Sequence, residues 1–90
     1  MSGKREKRWM DRVREIGCLV CKLNGFDDTP AQIHHLFAPH ERSDFLVAPL
    51  CEHHHTGKNG FHGLGGAGPF TARYGLTEAQ MLGIVIERLA

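Results

Sequence analysis

The chain has no apolar run long enough to cross a membrane, and its N-terminus, MSGKREKRWMDR, lacks the apolar stretch of a signal peptide. Neither a membrane protein nor a secreted one is therefore expected, and a cytoplasmic location without a membrane partner is predicted. Ninety residues make one small domain, whose hydrophobic core needs help from disulfides, metals or oligomerisation.

Cysteine is scarce, and its number is odd. Three cysteines fit a disulfide framework poorly and suit reduced thiols in the cytosol. Cys18 and Cys21 form a C-x-x-C pair, but the βαβ pattern of a thioredoxin-like redox protein does not surround it. All seven histidines lie between His34 and His62, together with Cys51, so metal binding is the better interpretation.

The net charge is only +1, but it is unevenly distributed. A basic N-terminus on a slightly acidic body suits contacts with phosphates, which favours DNA as a partner. A solvated helix face explains the charge alone equally well. Residues 1–14 carry six basic side chains against two acidic ones; the basic ones are Lys4, Arg5, Lys7, Arg8, Arg12 and Arg14.

Apolar periodicity predicts a first helix from Lys4 to Ile16, with Gly17 as its stop. A cysteine knuckle follows, and then two short strands, 31–37 and 45–50, that suggest a hairpin. The segment 51–56 could start a helix, but six glycines between residues 57 and 68 interrupt it. They predict a mobile loop, a loop close to a ligand, or an exposed connector.

Two helices are expected near the C-terminus. Pro69 fits the first position of a short helix that runs through Tyr74 and stops at Gly75. Thr77 followed by Gln80 matches a capping box, which predicts a last helix to about residue 89. The side chains expected to face the core from that helix are Met81, Leu82, Val85, Ile86 and Leu89.

Two short-spaced pairs, Cys18-x-x-Cys21 and Cys51-x-x-His54, have the spacing with which small domains hold tetrahedral zinc. Two intervening residues let both donors of a pair point at one centre. Three thiolates and one imidazole fill all four positions, so a structural zinc is predicted. His53 and His55 are alternatives to His54, and simple burial as small apolar residues is the alternative for the cysteines.

His34 and His35 are adjacent on a predicted strand, so their side chains face opposite sides of it. Both cannot join one site by simple geometry, which suggests a division of labour. One neutral imidazole can act as a general base near pH 7, while the other binds metal or packs. An ordinary hydrogen-bonded core histidine is the alternative for each of them taken singly.

The order and spacing of these motifs resemble the HNH, or ββα-metal, endonucleases. A CxxC is followed by a histidine doublet on one strand, and PLCEHHHTGK then opens a helix. More specifically, IGCLVC, IHHL, PLCEHHHTG, GFHGLG and RYGLT resemble the RecA-dependent nuclease (Ref) branch found in phages and prophages. The resemblance implies an α+β fold, a small zinc-stapled ββα-metal (HNH-like) domain with flanking N- and C-terminal helices. The basic helix would occupy 1–17 and the single zinc-binding nuclease domain 18–90.

The resemblance also implies a role for each matched residue. His35 would be the general base that deprotonates the attacking water. His34 and His55 would bind a catalytic divalent ion, Mg²⁺ or Mn²⁺, against the scissile phosphate. His62 would complete that site or contact the phosphate, and Lys58 would offset charge in the transition state. DNA is the implied partner, with a RecA recombinase filament as the expected activator.

Two positions depart from the family pattern. Leu46 stands where the family has an asparagine that orients the base, and Asp44 or a backbone carbonyl is the expected substitute. Two imidazoles without a carboxylate make a softer site than Mg²⁺ prefers, so Mn²⁺ or a second Zn²⁺ fits it better. The leading hypothesis is a metal-dependent DNA endonuclease of HNH type. The alternatives are a non-catalytic zinc module that binds DNA or protein, and a structural domain with two zinc ions.

Overall fold

A computed structural model describes residues 3–90, so the first two residues of the predicted basic segment 1–17 lie outside it. The fold is a small α+β arrangement with one two-stranded sheet. None of the helices within these residues is long and apolar enough to cross a bilayer. In chain order the elements are α1 Lys4–Ile16, α2 Leu19–Leu23, β1 Gln32–His35, β2 Val47–Leu50, α3 Glu52–His55, α4 Ala67–Tyr74 and α5 Glu78–Leu89.

Helix α1 has the predicted bounds. Its apolar stripe buries Val13 and Ile16, while Trp9 is half-buried. Gly17 ends the helix at φ +86°, a backbone conformation that favours glycine. The guanidinium of Arg12 donates to the carbonyl of Leu89 at 2.8 Å, which ties the first helix to the end of the last.

The two strands form the predicted hairpin, but both are shorter than expected. β1 and β2 are antiparallel, with His34 opposite Ala48 and His35 opposite Val47. The predicted first strand ran to Phe37; the pairing ends earlier because Phe37 turns to φ +63°, outside the extended region. All four residues of β2 are buried, whereas β1 alternates at its end between a buried His34 and an exposed His35.

The last two helices end at the predicted residues, but two other predictions about them were wrong. α4 begins at Ala67, so Pro69 is its third residue and not its first. The first turn tolerates proline because its N–H groups have no partner within the helix. Gly75 ends α4 in the left-handed conformation, and the Thr77–Gln80 capping box starts α5. Ile86, expected to face the core, is 46% exposed.

The core lies between the buried strand β2 and the helices. Val13 of α1, Leu50 of β2, Phe70 of α4 and Val85 of α5 are all fully buried there. Cys18 and Cys51 are part of this core, and His34 is buried against Phe61. Two groups of possible metal ligands therefore include buried residues of the fold.

Candidate metal centres and catalytic histidine

The two predicted zinc-binding pairs come together in space. The imidazole Nδ1 of His54 lies 3.6 Å from the Sγ atoms of both Cys18 and Cys21, and 3.2 Å from the Sγ of Cys51. The Sγ atoms of Cys21 and Cys51 are 3.9 Å apart, and all three cysteines are free of disulfide bonds. The four donor atoms lie within 4.8 Å of one another, so this cysteine–histidine cluster could hold a metal ion.

These distances fit a tetrahedral zinc ion. With zinc–sulfur bonds of about 2.3 Å and zinc–nitrogen bonds of about 2.0 Å, tetrahedral angles place two sulfurs about 3.8 Å apart and a sulfur about 3.5 Å from the nitrogen. Burial raises the pKa of the Cys18 thiol to about 12 in the metal-free chain. Zinc would therefore have to displace its proton on binding. The donor set and its spacing indicate a structural metal such as zinc.

The four-residue helix α3 points its three consecutive histidine side chains in different directions. Neighbouring residues on a helix point about 100° apart, so His54 and His55 cannot face the same centre. His54 points to the cysteines, His55 points to the opposite side, and His53 is exposed with its ring 4.8 Å from that of His54. Of the three candidates left open by the sequence, the structure places His54 among the cysteines.

The glycine-rich segment, residues 57–68, is not a plain exposed connector. Its backbone packs directly on α3: the N–H of Phe61 donates to the carbonyl of His54, and that of His62 donates to His55, each at 2.9 Å. A Cβ atom at Gly60 would lie 2.6 Å from the carbonyl carbon of His54, a distance that side chains do not tolerate. Glycine is needed here for close backbone approach, and this approach brings His62 beside His55.

A second cluster consists of His34 from β1, His55 from α3 and His62 from the glycine-rich segment. One ring nitrogen of each lies within 4.8 Å of the others, and the ring centroids are 4.9 Å to 5.9 Å apart. His34 is only 2% exposed, and neither of its ring nitrogens has a hydrogen-bond partner within residues 3–90. Buried polar atoms without partners are rare, and a metal ion held by this cluster would satisfy one of the two.

The electrostatics of His34 and His55 favour their neutral imidazole forms. Burial, and then the neighbouring His55 and His62, lower the pKa of His34 to about 3. Burial also lowers the pKa of His55. The Nδ1 of His55 lies 2.9 Å from the Oε1 of Gln32, so the amide oxygen can accept the Nδ1–H and leave Nε2 for a metal. Neutral imidazole is the form that binds metals.

His35 points away from His34, as the alternation of the strand predicted. Its Nε2 lies 2.8 Å from the Oδ1 of Asp44, one of the two substitutes expected for the missing asparagine. An acceptor at Nε2 selects the tautomer whose lone pair is on Nδ1. A cavity of about 330 Å³ is lined by His35, Ala38, Pro39, Glu41 and Arg42. The imidazole is thus oriented, exposed and next to free space.

Two other candidate residues from the sequence, Lys58 and His40, lie outside both clusters. Lys58 is exposed at the start of the glycine-rich segment, and within residues 3–90 its ammonium makes no hydrogen bond or ion pair. His40 is exposed in the loop between the strands. The structure does not bring either of them into one of the two clusters.

Glu78, at the start of α5, is a site residue that the sequence analysis missed. Its Oε2 accepts the backbone N–H of Phe37 at 2.7 Å and lies 3.8 Å from the Nε2 of His34. The carboxylate is only 15% exposed, so it is held against the buried face of the histidine cluster. The only signal for it in the sequence was an acidic residue in the first turn of a capped helix, which is explained equally well by the helix dipole.

The fold and the two clusters define a small α+β domain built around a cysteine–histidine site and a separate group of three histidines. Residues 3–90 match the model of the family described as recombination enhancement, RecA-dependent nuclease. The chain belongs to this family, whose description indicates a nuclease in recombination. No curated protein matches the chain.

Proposed function

We propose that this chain is a metal-dependent DNA endonuclease of the HNH type that hydrolyses phosphodiester bonds in recombinase-coated DNA. The observation that carries the proposal is the position of the oriented, exposed His35 immediately beside the buried cluster of three histidines. His35 directly follows His34 of that cluster on strand β1. His35 would activate the attacking water, and the metal ion held by the cluster would bind the scissile phosphate.

The HNH assignment is supported by the order of the elements. Strands β1 and β2 pair antiparallel and lead directly into α3, which is a ββα unit. The doublet of the first strand supplies His34 and His35, and the helix supplies His55. A zinc module without catalysis has no need of an oriented histidine beside a second metal-compatible cluster, which weakens that alternative.

The protein groups have distinct parts in the proposed hydrolysis. Asp44 accepts the Nε2–H of His35, so that Nδ1 is free to take a proton from the attacking water. As His35 becomes charged, the carboxylate of Asp44 stabilises the imidazolium. Lys58, from its exposed position, offsets charge on the phosphate.

His34, His55 and His62 would hold the catalytic ion, because their donor atoms converge and two nitrogens of His34 are otherwise unsatisfied. The ion would act as a Lewis acid toward the phosphate and the leaving oxygen. Three imidazoles suit Mn²⁺ or Zn²⁺ better than Mg²⁺. Gln32 orients His55, and Glu78 faces the Nε2 side of His34, so each of these two ligands has its own positioning residue.

The rest of the chain supports this site. A zinc ion at Cys18, Cys21, Cys51 and His54 would hold α2 and α3 against the hairpin. The basic helix within 1–17 would contact DNA phosphates, and residues 18–90 would form the nuclease unit. The RecA filament would present the DNA strand.

The test is cleavage by the purified full chain, with metal content measured on the same sample by mass spectrometry. Plasmid and single-stranded DNA are incubated with Mg²⁺, Mn²⁺ or Zn²⁺, with and without RecA and ATP, and the His35→Ala variant sets the background. We expect metal-dependent cleavage above that background, stimulated by RecA. Cleavage no greater than the background in every condition would overturn the proposal and favour a zinc-binding interaction module.

A further inference from the structure

A groove between α1 and the loop 36–46 is not used by either metal cluster. Its volume is about 250 Å³. Five side chains line it: Arg5, Arg8, Trp9, Arg12 and Phe45. The combination of three guanidinium groups with two aromatic rings is unusual for a plain helix surface, and we refer to it as the arginine–aromatic groove.

Helical spacing and one hydrogen bond build this groove. Residues 5, 8, 9 and 12 recur at i, i+3, i+4 and i+7, so they share one face of α1. The indole N–H of Trp9 donates to the carbonyl of Phe45 at 3.0 Å, which fastens the loop to the helix. The guanidinium carbons of Arg5 and Arg12 lie 6.0 Å from the ring centres of Phe45 and Trp9 respectively, within the range of cation–π attraction.

The groove lies next to the proposed catalytic base. Phe45 directly follows Asp44, whose carboxylate holds His35, and consecutive Cα atoms are only about 3.8 Å apart. The loop 36–46 also supplies the residues that line the cavity against His35. A DNA strand with one phosphate at His35 would therefore carry its flanking nucleotides toward the groove.

We propose that the arginine–aromatic groove binds an unpaired nucleotide of the DNA strand, with the base stacked on Phe45 and the phosphate held by Arg5 and Arg8. Phe45 is 39% exposed, which leaves ring surface available. Bases stack on aromatic rings and on guanidinium planes, and the arginines supply the charge that a phosphate requires. In a duplex the base faces are already covered by neighbouring bases, so the groove selects single-stranded DNA. The inference rests on the proposed function for its substrate class.

Trp9 is the only tryptophan of the chain, so its fluorescence reports on the groove directly. The full zinc-containing chain, without added divalent metal, is titrated with oligo(dT) and with a duplex of the same length. We expect the single strand to quench Trp9 and to bind more tightly than the duplex. Phe45→Leu should weaken single-strand binding about 5- to 100-fold, the usual effect of losing one base–aromatic stack, and Phe45→Tyr should restore it.

Two matched controls separate the groove from general effects. Phe26→Leu removes another exposed phenylalanine, 66% exposed in the turn after α2, and should leave binding unchanged. Arg8→Gln should lower the slope of log K against log salt by about 0.7 for a single strand, while Arg88→Gln in the last turn of α5 should not. Melting temperatures confirm that each variant is folded.

Equal binding by Phe45→Leu and Phe26→Leu, equal losses in Phe45→Leu and Phe45→Tyr, or no preference for the single strand would each overturn the inference. The binding assay needs no cleavage, so the two proposals fail separately. If the chain cleaves DNA but its DNA binding does not depend on Phe45, the groove proposal is wrong and the nuclease proposal stands. If the chain binds DNA through Phe45 but does not cleave it under any condition, the groove proposal stands and the nuclease proposal is wrong.

Discussion

At the scale of single residues, the two members of the histidine doublet occupy opposite environments. His34 is buried against Phe61, with ring centroids 4.1 Å apart, while His35 is exposed and hydrogen-bonded to Asp44. One position on the strand separates a side chain suited to hold a metal from a side chain suited to move a proton. Substitutions in the doublet should therefore have different consequences.

Replacing His35 with alanine should abolish catalysis without disturbing the molecule. The side chain is exposed and outside both clusters, so zinc content, melting temperature and DNA binding should remain near normal. Cleavage should fall by roughly 10²–10⁴-fold, the usual contribution of a positioned acid or base. His55→Ala should also reduce cleavage, but excess Mn²⁺ should restore part of it, because a ligand and not the base has been lost. Restoration of His35→Ala by Mn²⁺, with none for His55→Ala, would reverse the two assignments.

Glu78 should determine how tightly the histidine cluster binds its ion. Glu78→Gln keeps an oxygen that can accept the N–H of Phe37 but removes the negative charge facing His34. Loss of such a partner weakens metal binding by about 10- to 100-fold. Competition against a chromophoric chelator, on protein already loaded with zinc at the cysteines, measures this affinity. Glu87→Gln, an exposed carboxylate on the same helix, is the control, and equal affinities in the two variants would exclude the role.

At the scale of elements, α3 and the glycine-rich segment act as one unit. The segment returns along the helix so closely that its N–H groups satisfy carbonyls at the end of α3, which otherwise have no partner. His54 and His55 on that helix serve different clusters. Any change that separates the segment from α3 should therefore disturb both clusters.

Gly60→Ala tests this unit, with Gly83→Ala as its control. A methyl group at Gly60 would approach the backbone of His54 and His55 to 2.6 Å and 2.7 Å, so the segment must move. We expect a loss of stability on the order of 1–3 kcal/mol, as for overpacking, and weaker metal binding. Gly83 lies within α5 with open space around its Cβ position, so alanine there should add about 0.5–1 kcal/mol. Urea denaturation and metal content measure both; a Gly60→Ala variant that retains full stability would contradict the close packing.

At the scale of the whole molecule, the core is too small to account for the fold by itself. A domain of this size has a net stability in the lower part of the usual 5–15 kcal/mol. The cysteine–histidine cluster joins α2 and α3 across the hairpin, so a zinc ion there would connect three parts of the fold. Structural zinc in small domains contributes about 10 kcal/mol or more, which is comparable with the entire net stability.

Removal of zinc should therefore unfold the chain cooperatively. Chelation, followed by circular dichroism and a thermal melt, should show loss of helix and of the melting transition. His54→Ala should behave like the chelated protein, whereas His53→Ala should keep its zinc, because only His54 faces the cysteines. A zinc-free chain that melts at an unchanged temperature would rule out a structural ion at this site.

The amino-acid sequence by itself determined the features that depend on near neighbours. The bounds of α1, the capping box of α5, the hairpin and the two short-spaced Cys/His pairs that come together were all predicted, because periodicity, caps and short ligand spacings act within a few residues. The opposite facing of His34 and His35 followed from the strand alone.

Only the tertiary structure decided what depends on residues distant in the chain. β1 ends early because Phe37 turns to a positive φ, with its N–H bound by Glu78, and Ile86 of α5 is 46% exposed. His62 meets His55 because glycines let two backbones touch, a contact that depends on packing and not on local conformation. A carboxylate from the last helix beside a histidine of the first strand has no local signal, since only the folded core holds the two together.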